Sequence, residues 1–272
     1  PAPLTALALL AAWTVAATLW FVSPWFPMQS LATLESSTGG WVSVTLVASC
    51  AIGLVQVAIL LGPGRQHLRG LGLRASRLPA AFAVGCVLWA LMHAGTLATH
   101  HASGSQPLPH PAWLQGAGFA LGPLLAQLLG TALMEETVFR GFLWPQFARR
   151  LGGGSRGALL GALASQALFA LMHIPILAYQ GADAGAMAGT LLMLFVVGLV
   201  FVLVYASTGN LWIAVVAHAL GNAPTLLFEP AGPSPTLWLM AGLLALCAAA
   251  ALRRRWRRAA AGESHADGIA AA

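Results

Sequence analysis

Apolar residues run along this chain in long stretches that short polar segments interrupt. We place eight stretches of about 20 residues, the length at which an α-helix crosses a bilayer, at 4–22, 41–61, 79–99, 113–134, 157–176, 187–205, 210–228 and 235–252. The connections are short, and an open sheet would leave backbone groups unsatisfied in lipid. The pattern therefore predicts an all-α, polytopic transmembrane helical bundle that forms a single domain over 1–258.

Composition and charge support a membrane protein. Hydrophobic residues make up 58% of the chain and charged residues 7%, against about 25% charged residues in a typical soluble domain. All basic residues are arginine, and apart from Arg140 they fall at three places, which are 65–77, 149–156 and 253–258. With eight spans these places share one side, so the positive-inside rule predicts cytoplasmic termini. We expect a bacterial inner (cytoplasmic) membrane, a disordered cytoplasmic tail at 259–272, and contact with lipid but not with nucleic acid.

The segment TALMEETVFRGF places ionisable side chains inside one of the apolar stretches. A charged residue at the centre of a membrane helix costs about 2.5 to 3.5 kcal/mol, so it must face the bundle interior and be paired. Glu136 and Arg140 are four residues apart and can form an ion pair on one helix face. Glu135 has no such partner, so it is the better candidate for a base. The alternative is a buried ion pair that only fixes helix packing.

Two further motifs place histidines in later stretches. FALMHIP puts Phe169 and His173 four residues apart, and HALGN does the same for His218 and Asn222. Glu135 and His173 lie on either side of a loop near position 153, so a helical hairpin brings them to similar depth. Each histidine alone is also typical of a hydrogen bond between membrane helices.

The sequence WALMHAG repeats part of the FALMHIP motif at residues 89–95. No glutamate pair accompanies this copy, and an Ala- and Leu-rich chain produces such echoes by chance. We therefore expect His93 to be structural or peripheral.

These side chains supply the groups needed to hydrolyse an acyl bond. Glu135, helped by His173, can deprotonate a water molecule, while His218 and Asn222 donate hydrogen bonds to the developing oxyanion. No serine or cysteine lies in these three motifs, so no nucleophilic side chain is implied. The rival arrangement is a zinc site formed by Glu135, His173 and His218 with a bound water, although HExxH is absent. The sequence leaves both mechanisms open.

The three motifs EExxxR, FxxxH and HxxxN, in this order over 135–222, resemble those of the CAAX protease and bacteriocin-processing (CPBP, Abi) family of intramembrane proteases. The Ras-converting CAAX prenyl endopeptidase of eukaryotes is a member. The resemblance implies a helical bundle with a site recessed in the membrane, at which a peptide bond is hydrolysed. It implies catalytic roles for Glu135, His173, His218 and Asn222, with Glu136, Arg140 and Phe169 in support.

The resemblance leaves cofactor and substrate open. Members have been classed as metalloproteases, yet the mechanism is also described as glutamate-dependent, so no cofactor is assigned and a divalent metal such as zinc is the alternative. The expected partner is a membrane-associated protein or peptide. Buried carboxylates and histidines also mark proton pathways, so a proton-coupled transporter is a competing function. A non-catalytic membrane adaptor or immunity protein is another.

Overall fold

The computed structural model describes the backbone of residues 1–270 and the side chains of residues 1–257. Within these residues, seven helices are long and apolar enough to cross a bilayer: Leu4–Phe21, Val44–Leu61, Ala75–Ser103, Ala117–Arg150, Gly154–Tyr179, Ala184–Thr208 and Pro235–Arg257. The protein is an integral membrane protein, and the predicted polytopic helical bundle is confirmed. The predicted tail at 259–272 lies outside the described residues.

Several of these spans consist of consecutive helices that differ in geometry. In chain order the helices are α1 Leu4–Phe21, α2 Met28–Ser37, α3 Val44–Leu61, α4 Leu78–Ser103, α5 Pro111–Gln115, α6 Ala117–Leu129, α7 Thr131–Glu135, a π-helix Glu136–Leu143, α8 Trp144–Arg150, α9 Gly154–Leu171, α10 Ile174–Tyr179, α11 Ala184–Thr208, α12 Leu211–Asn222 and α13 Pro235–Ala270. The short helix α2 was not predicted, because its residues are largely polar and it is too short to span a bilayer.

Helix α12 lies at the centre of the bundle. It packs against α4, α6, α7, α11, α13 and the π-helix, and eight of its 12 residues are buried. Ala214, Ala217 and Ala219 are fully buried, and such small side chains let neighbouring membrane helices approach closely. His218 and Asn222 are therefore carried by the element with neighbours on most sides.

The predicted stretch 210–228 is helical only in its first part. Helix α12 ends at Asn222, Pro224 has no N–H to continue it, and Thr225 takes a φ of +50°. The chain then runs extended, and neighbouring helices satisfy its backbone. Trp89 donates to the Thr225 carbonyl, and His93 Nε2 accepts the Leu227 N–H at 3.0 Å. Non-helical backbone at membrane depth is tolerated where protein buries it in this way.

The structural role predicted for His93 agrees with these contacts. Its Nδ1 donates to the carbonyl of Trp89 at 2.8 Å, its Nε2 holds the extended segment, and the side chain is buried. Both ring nitrogens are therefore occupied by backbone groups, and His93 has no lone pair or proton left for chemistry.

Candidate active site

The EExxxR motif lies across the junction of α7 and the π-helix. All eight residues of the π-helix are buried, including Glu136 and Arg140. The sequence predicts an ordinary α-helix here, and the wider i→i+5 turn is a feature that occurs often at functional sites. Gly141 permits a close approach from outside this helix, since a Cβ at that position would lie 2.5 Å from the carbonyl oxygen of Leu71. A folded loop thus packs directly on the motif helix.

Arg140 is fixed by contacts on several sides. Its Nη1 lies 3.0 Å from Glu136 Oε1, and both side chains are completely buried. Its Nη2 donates to the carbonyl of Gly198 in α11 at 3.2 Å. The guanidinium also lies over the rings of Phe169, at 4.5 Å, and Phe201, at 5.4 Å. The predicted ion pair between Glu136 and Arg140 is confirmed, and the Phe169 side chain forms part of its apolar surroundings.

His218 lies between the two glutamates. Its Nδ1 is 2.8 Å from Glu136 Oε1, and its Nε2 is 3.5 Å from Glu135 Oε2. An ionised carboxylate only accepts hydrogen bonds, so Nδ1 carries a proton and Nε2 faces Glu135. The Phe201 ring stacks on the imidazole with centroids 5.0 Å apart and an interplanar angle of 20°. Phe201 is not predictable from the sequence, because a phenylalanine in an apolar helix matches no motif.

Glu135 faces a cavity, whereas Glu136 is sealed in the protein. The Glu135 side chain is 16% exposed and that of Glu136 is 0% exposed. Glu135 lines a cavity of about 300 Å³ together with His173. The opposite wall consists of residues from α1 and α3, which are Thr14, Ala17, Thr18, Phe21, Thr45, Ala48, Ser49, Ile52 and Gln56. The two arms of the hairpin therefore do bring Glu135 and His173 to one cavity.

His173 is held by its own helix. Its Nδ1 lies 2.8 Å from the carbonyl oxygen of Phe169, one helical turn earlier. Since the carbonyl can only accept, Nδ1 donates, and Nε2 keeps a lone pair that can accept a hydrogen bond. His93 makes the same contact to the residue four positions before it. The Nε2 of His93 accepts a hydrogen bond from the backbone N–H of Leu227, whereas His173 borders the cavity.

Asn222 lies apart from this cavity. Its side chain is exposed, and its Nδ2 donates to Oε1 of Gln127 in α6 at 3.0 Å. It lies one turn beyond His218 on α12, but it is not among the residues that line the cavity of Glu135 and His173. The structure therefore brings together Glu135, Glu136 and His218 directly, and it places Asn222 at the edge of this group.

The arrangement of these side chains does not match a three-ligand zinc site. Among the residues with described side chains, no three His, Cys, Asp or Glu side chains are grouped so that they could hold a metal ion. The two nitrogens of His218 face carboxylates, and Nδ1 of His173 is bonded to backbone. The donor set of Glu135, His173 and His218 thus does not converge on one point, as tetrahedral coordination requires.

Comparison with known families identifies one segment of the chain. Residues 117–224 match the family model described as type II CAAX prenyl endopeptidase Rce1-like. The match contains all three motifs and agrees with the resemblance to the CAAX protease family. Helices α1, α3 and α4 lie outside it. No curated protein matches the chain, and no solved structure does.

Proposed function

We propose, from the membership of residues 117–224 in the CAAX protease family, that this protein is an intramembrane endopeptidase. It hydrolyses a peptide bond of a membrane-associated protein or peptide. The observation that carries the proposal is the difference between two adjacent glutamates. Glu136 is buried and bonded to Arg140 and His218, whereas Glu135 borders a cavity beside His173.

In the proposed reaction, Glu135 is the general base. A water molecule in the cavity donates one proton to the Glu135 carboxylate, while its oxygen attacks the carbonyl carbon of the substrate. His173 Nε2 accepts a hydrogen bond from the same water and orients it. When the tetrahedral intermediate collapses, the C–N bond breaks and Glu135 returns the proton to the leaving nitrogen. The products are a carboxylic acid and an amine, and the acid then passes its proton to the amine or to water.

His218 supplies the electrostatic part of the mechanism. The carboxylates of Glu135 and Glu136 face the imidazole, and the guanidinium of Arg140 pairs with Glu136. With both carboxylates ionised and both ring nitrogens of His218 protonated, these four side chains have no net charge. In this state Nε2–H can donate to the oxyanion that forms on the substrate carbonyl. Glu136 and Arg140 keep the imidazole in this orientation.

Asn222 is the proposed second donor to the oxyanion. A side-chain amide carries two N–H groups, and the bond to Gln127 uses one of them. The other is available one helical turn beyond His218. A substrate carbonyl bound between the two side chains would accept from both.

The proposed location is a bacterial inner membrane with cytoplasmic termini. Support comes from the arginines at 65–77, 149–156 and 253–258, which lie on one side of the predicted topology. A prenyl group on the substrate is not part of the proposal, because it belongs to the eukaryotic relatives of the family.

The test is proteolysis of a quenched-fluorescence peptide library by purified protein in detergent. Glu135→Gln is compared with Glu229→Gln, which makes the same change at an exposed acidic residue. We expect Glu135→Gln to abolish cleavage, and Glu229→Gln and added chelator to leave it intact. Cleavage that survives Glu135→Gln would refute the assignment of the base. Loss with chelator and recovery with zinc would favour the metal mechanism, and proton-driven uptake into proteoliposomes without cleavage would favour a transporter.

A further inference from the structure

Gln56 is a largely buried polar residue, and its side chain has no hydrogen-bond partner within the part of the chain whose side chains are described. It lies in α3, outside the segment matched by the family model, and its side chain is 7% exposed. It lines the same cavity as Glu135 and His173. Among the residues whose side chains are described, none forms a hydrogen bond with the Gln56 amide. The N and O atoms of this amide are not among the described side-chain atoms that are sealed in the protein without a partner, so they are accessible to a molecule that enters the cavity.

Two other polar side chains on this wall, Ser49 and Thr18, are satisfied within their own helices. Ser49 Oγ donates to the carbonyl of Thr45 at 2.6 Å, and Thr18 Oγ1 donates to the carbonyl of Thr14 at 2.8 Å. These hydroxyls have no need of a ligand. Gln56 differs from them because its amide extends into the cavity without such a bond.

The other buried glutamines also differ from Gln56. Gln146 accepts the N–H of Ala2 at 2.8 Å, and Gln166 donates to Ser165 Oγ at 2.9 Å. Gln146 thereby connects α8 to the start of the chain, whereas Gln166 bonds only its neighbour in α9, and its Oε1 is buried with no partner among the described residues. A glutamine in a membrane helix usually makes such a contact with a neighbouring helix, and Gln56 makes none within the described side chains.

The position of Gln56 is fixed relative to the proposed base. One turn earlier, Gly53 packs against the side chain of Met134, the residue before Glu135, so closely that a Cβ at position 53 would overlap it. Ile52 accepts a hydrogen bond from Trp13 of α1 at 3.0 Å. Helix α3 is therefore anchored on both sides, and the Gln56 amide is presented to the cavity by a rigid element.

We infer that Gln56 binds the backbone of the peptide substrate. Its Oε1 accepts from a substrate N–H, and its Nε2 donates to a substrate carbonyl. A side-chain amide has the same donor and acceptor as a peptide group, so the two can form a pair of hydrogen bonds. Such a pair selects an extended peptide segment, whose backbone groups are not already bonded to each other as they are in a helix. The inference rests on the proposed peptidase function.

Gln56 acts at a distance from the scissile bond in this arrangement. Its hydrogen bonds are made equally in the ground state and in the transition state, so their loss raises KM and leaves kcat unchanged. Two neutral hydrogen bonds correspond to a change in affinity of about tenfold.

The experiment compares Gln56→Met, which keeps the length of the side chain and removes the amide, with Ser49→Ala. Ser49 lines the same cavity, and its hydroxyl is already bonded to backbone. Steady-state cleavage is measured with the best peptide from the library. Binding of the same peptide is measured by fluorescence anisotropy in proteins that also carry Glu135→Gln, and the melting temperature is measured without peptide.

We expect Gln56→Met to raise KM and the peptide Kd about tenfold, to leave kcat within a factor of about two, and to keep or raise the melting temperature. Ser49→Ala should leave KM and Kd unchanged. Unaltered KM and Kd in Gln56→Met would overturn the inference, whether or not the melting temperature falls, and would make Gln56 a structural residue. Peptide that binds but is cleaved equally after Glu135→Gln would refute the proposed base alone. Absence of binding to any variant would overturn the inference together with the function.

Discussion

Arg140→Gln tests whether the ion pair between Glu136 and Arg140 has a structural role rather than a catalytic one. The substitution keeps a polar side chain of intermediate length but removes the cation that lies 3.0 Å from Glu136 Oε1, with both side chains fully buried. Breaking a buried ion pair by removing one partner costs about 3 to 5 kcal/mol, because the other charge stays buried. His218 still donates to the same oxygen, so we take the lower value of about 3 kcal/mol.

Thermal unfolding in detergent measures this cost. For proteins of this size, 1 kcal/mol corresponds to about 2 to 4 °C, so Arg140→Gln should lower the melting temperature by roughly 6 to 12 °C. Glu135→Gln is the matched comparison. Glu135 is partly exposed to the cavity and its partner is 3.5 Å away, so its replacement should cost less than about 1 kcal/mol.

A double variant tests whether buried charge is the cause. Glu136→Gln combined with Arg140→Gln leaves no unpaired ion, so it should melt at a higher temperature than Arg140→Gln alone. Equal losses of stability in Arg140→Gln and Glu135→Gln would refute the division of roles between the two glutamates. A double variant that is less stable than Arg140→Gln would show that the charge of Glu136 is not what destabilises the single variant.

Substitutions at two positions of α11 test its contribution to the same group. Phe201→Leu removes the ring stacked on His218 and should lower kcat about tenfold, roughly the value of one aromatic contact. Phe201→Tyr keeps an aromatic ring and should retain most of the wild-type kcat. Equal kcat in the two variants would refute a positioning role. Gly198→Ala places a Cβ 2.6 Å from Gln166 Oε1 and 3.1 Å from Arg140 Nη2, so it should lower the melting temperature and kcat together. A fully active and stable Gly198→Ala protein would contradict the packing described for Arg140.

Much of the fold follows from apolar length alone. The stretches predicted at 4–22 and 187–205 correspond closely to α1 and α11, because a run of apolar residues long enough to span lipid has few other stable structures. The prediction was wrong about the helicity of 223–228. Those residues are apolar, and their extended path depends on hydrogen bonds from Trp89 and His93 of another helix. Hydrophobicity along the chain cannot show contacts of that kind.

The candidate site also combines features that the sequence predicts with features that it does not. The Glu136–Arg140 pair was predictable because four residues separate its members on one helix. The bond between Glu136 and His218 joins residues 82 positions apart, and no local pattern predicts it. Gln56 was not predictable because a single amide in an apolar span is ordinary in sequence, and only its position in the wall of the cavity beside Glu135 and His173 distinguishes it.

The adjacency of Glu135 and Glu136 has a geometric reason. Consecutive residues on a helix point about 100° apart, so one element can direct one carboxylate into the protein and the next into a cavity. Glu136 Oε1 is shared by Arg140 and His218, which fixes the imidazole whose other nitrogen faces Glu135. Removing either glutamate therefore has a different effect. In the proposed mechanism, loss of Glu135 keeps the shape of the site and removes its base, and loss of Glu136 keeps the base and removes the orientation of His218.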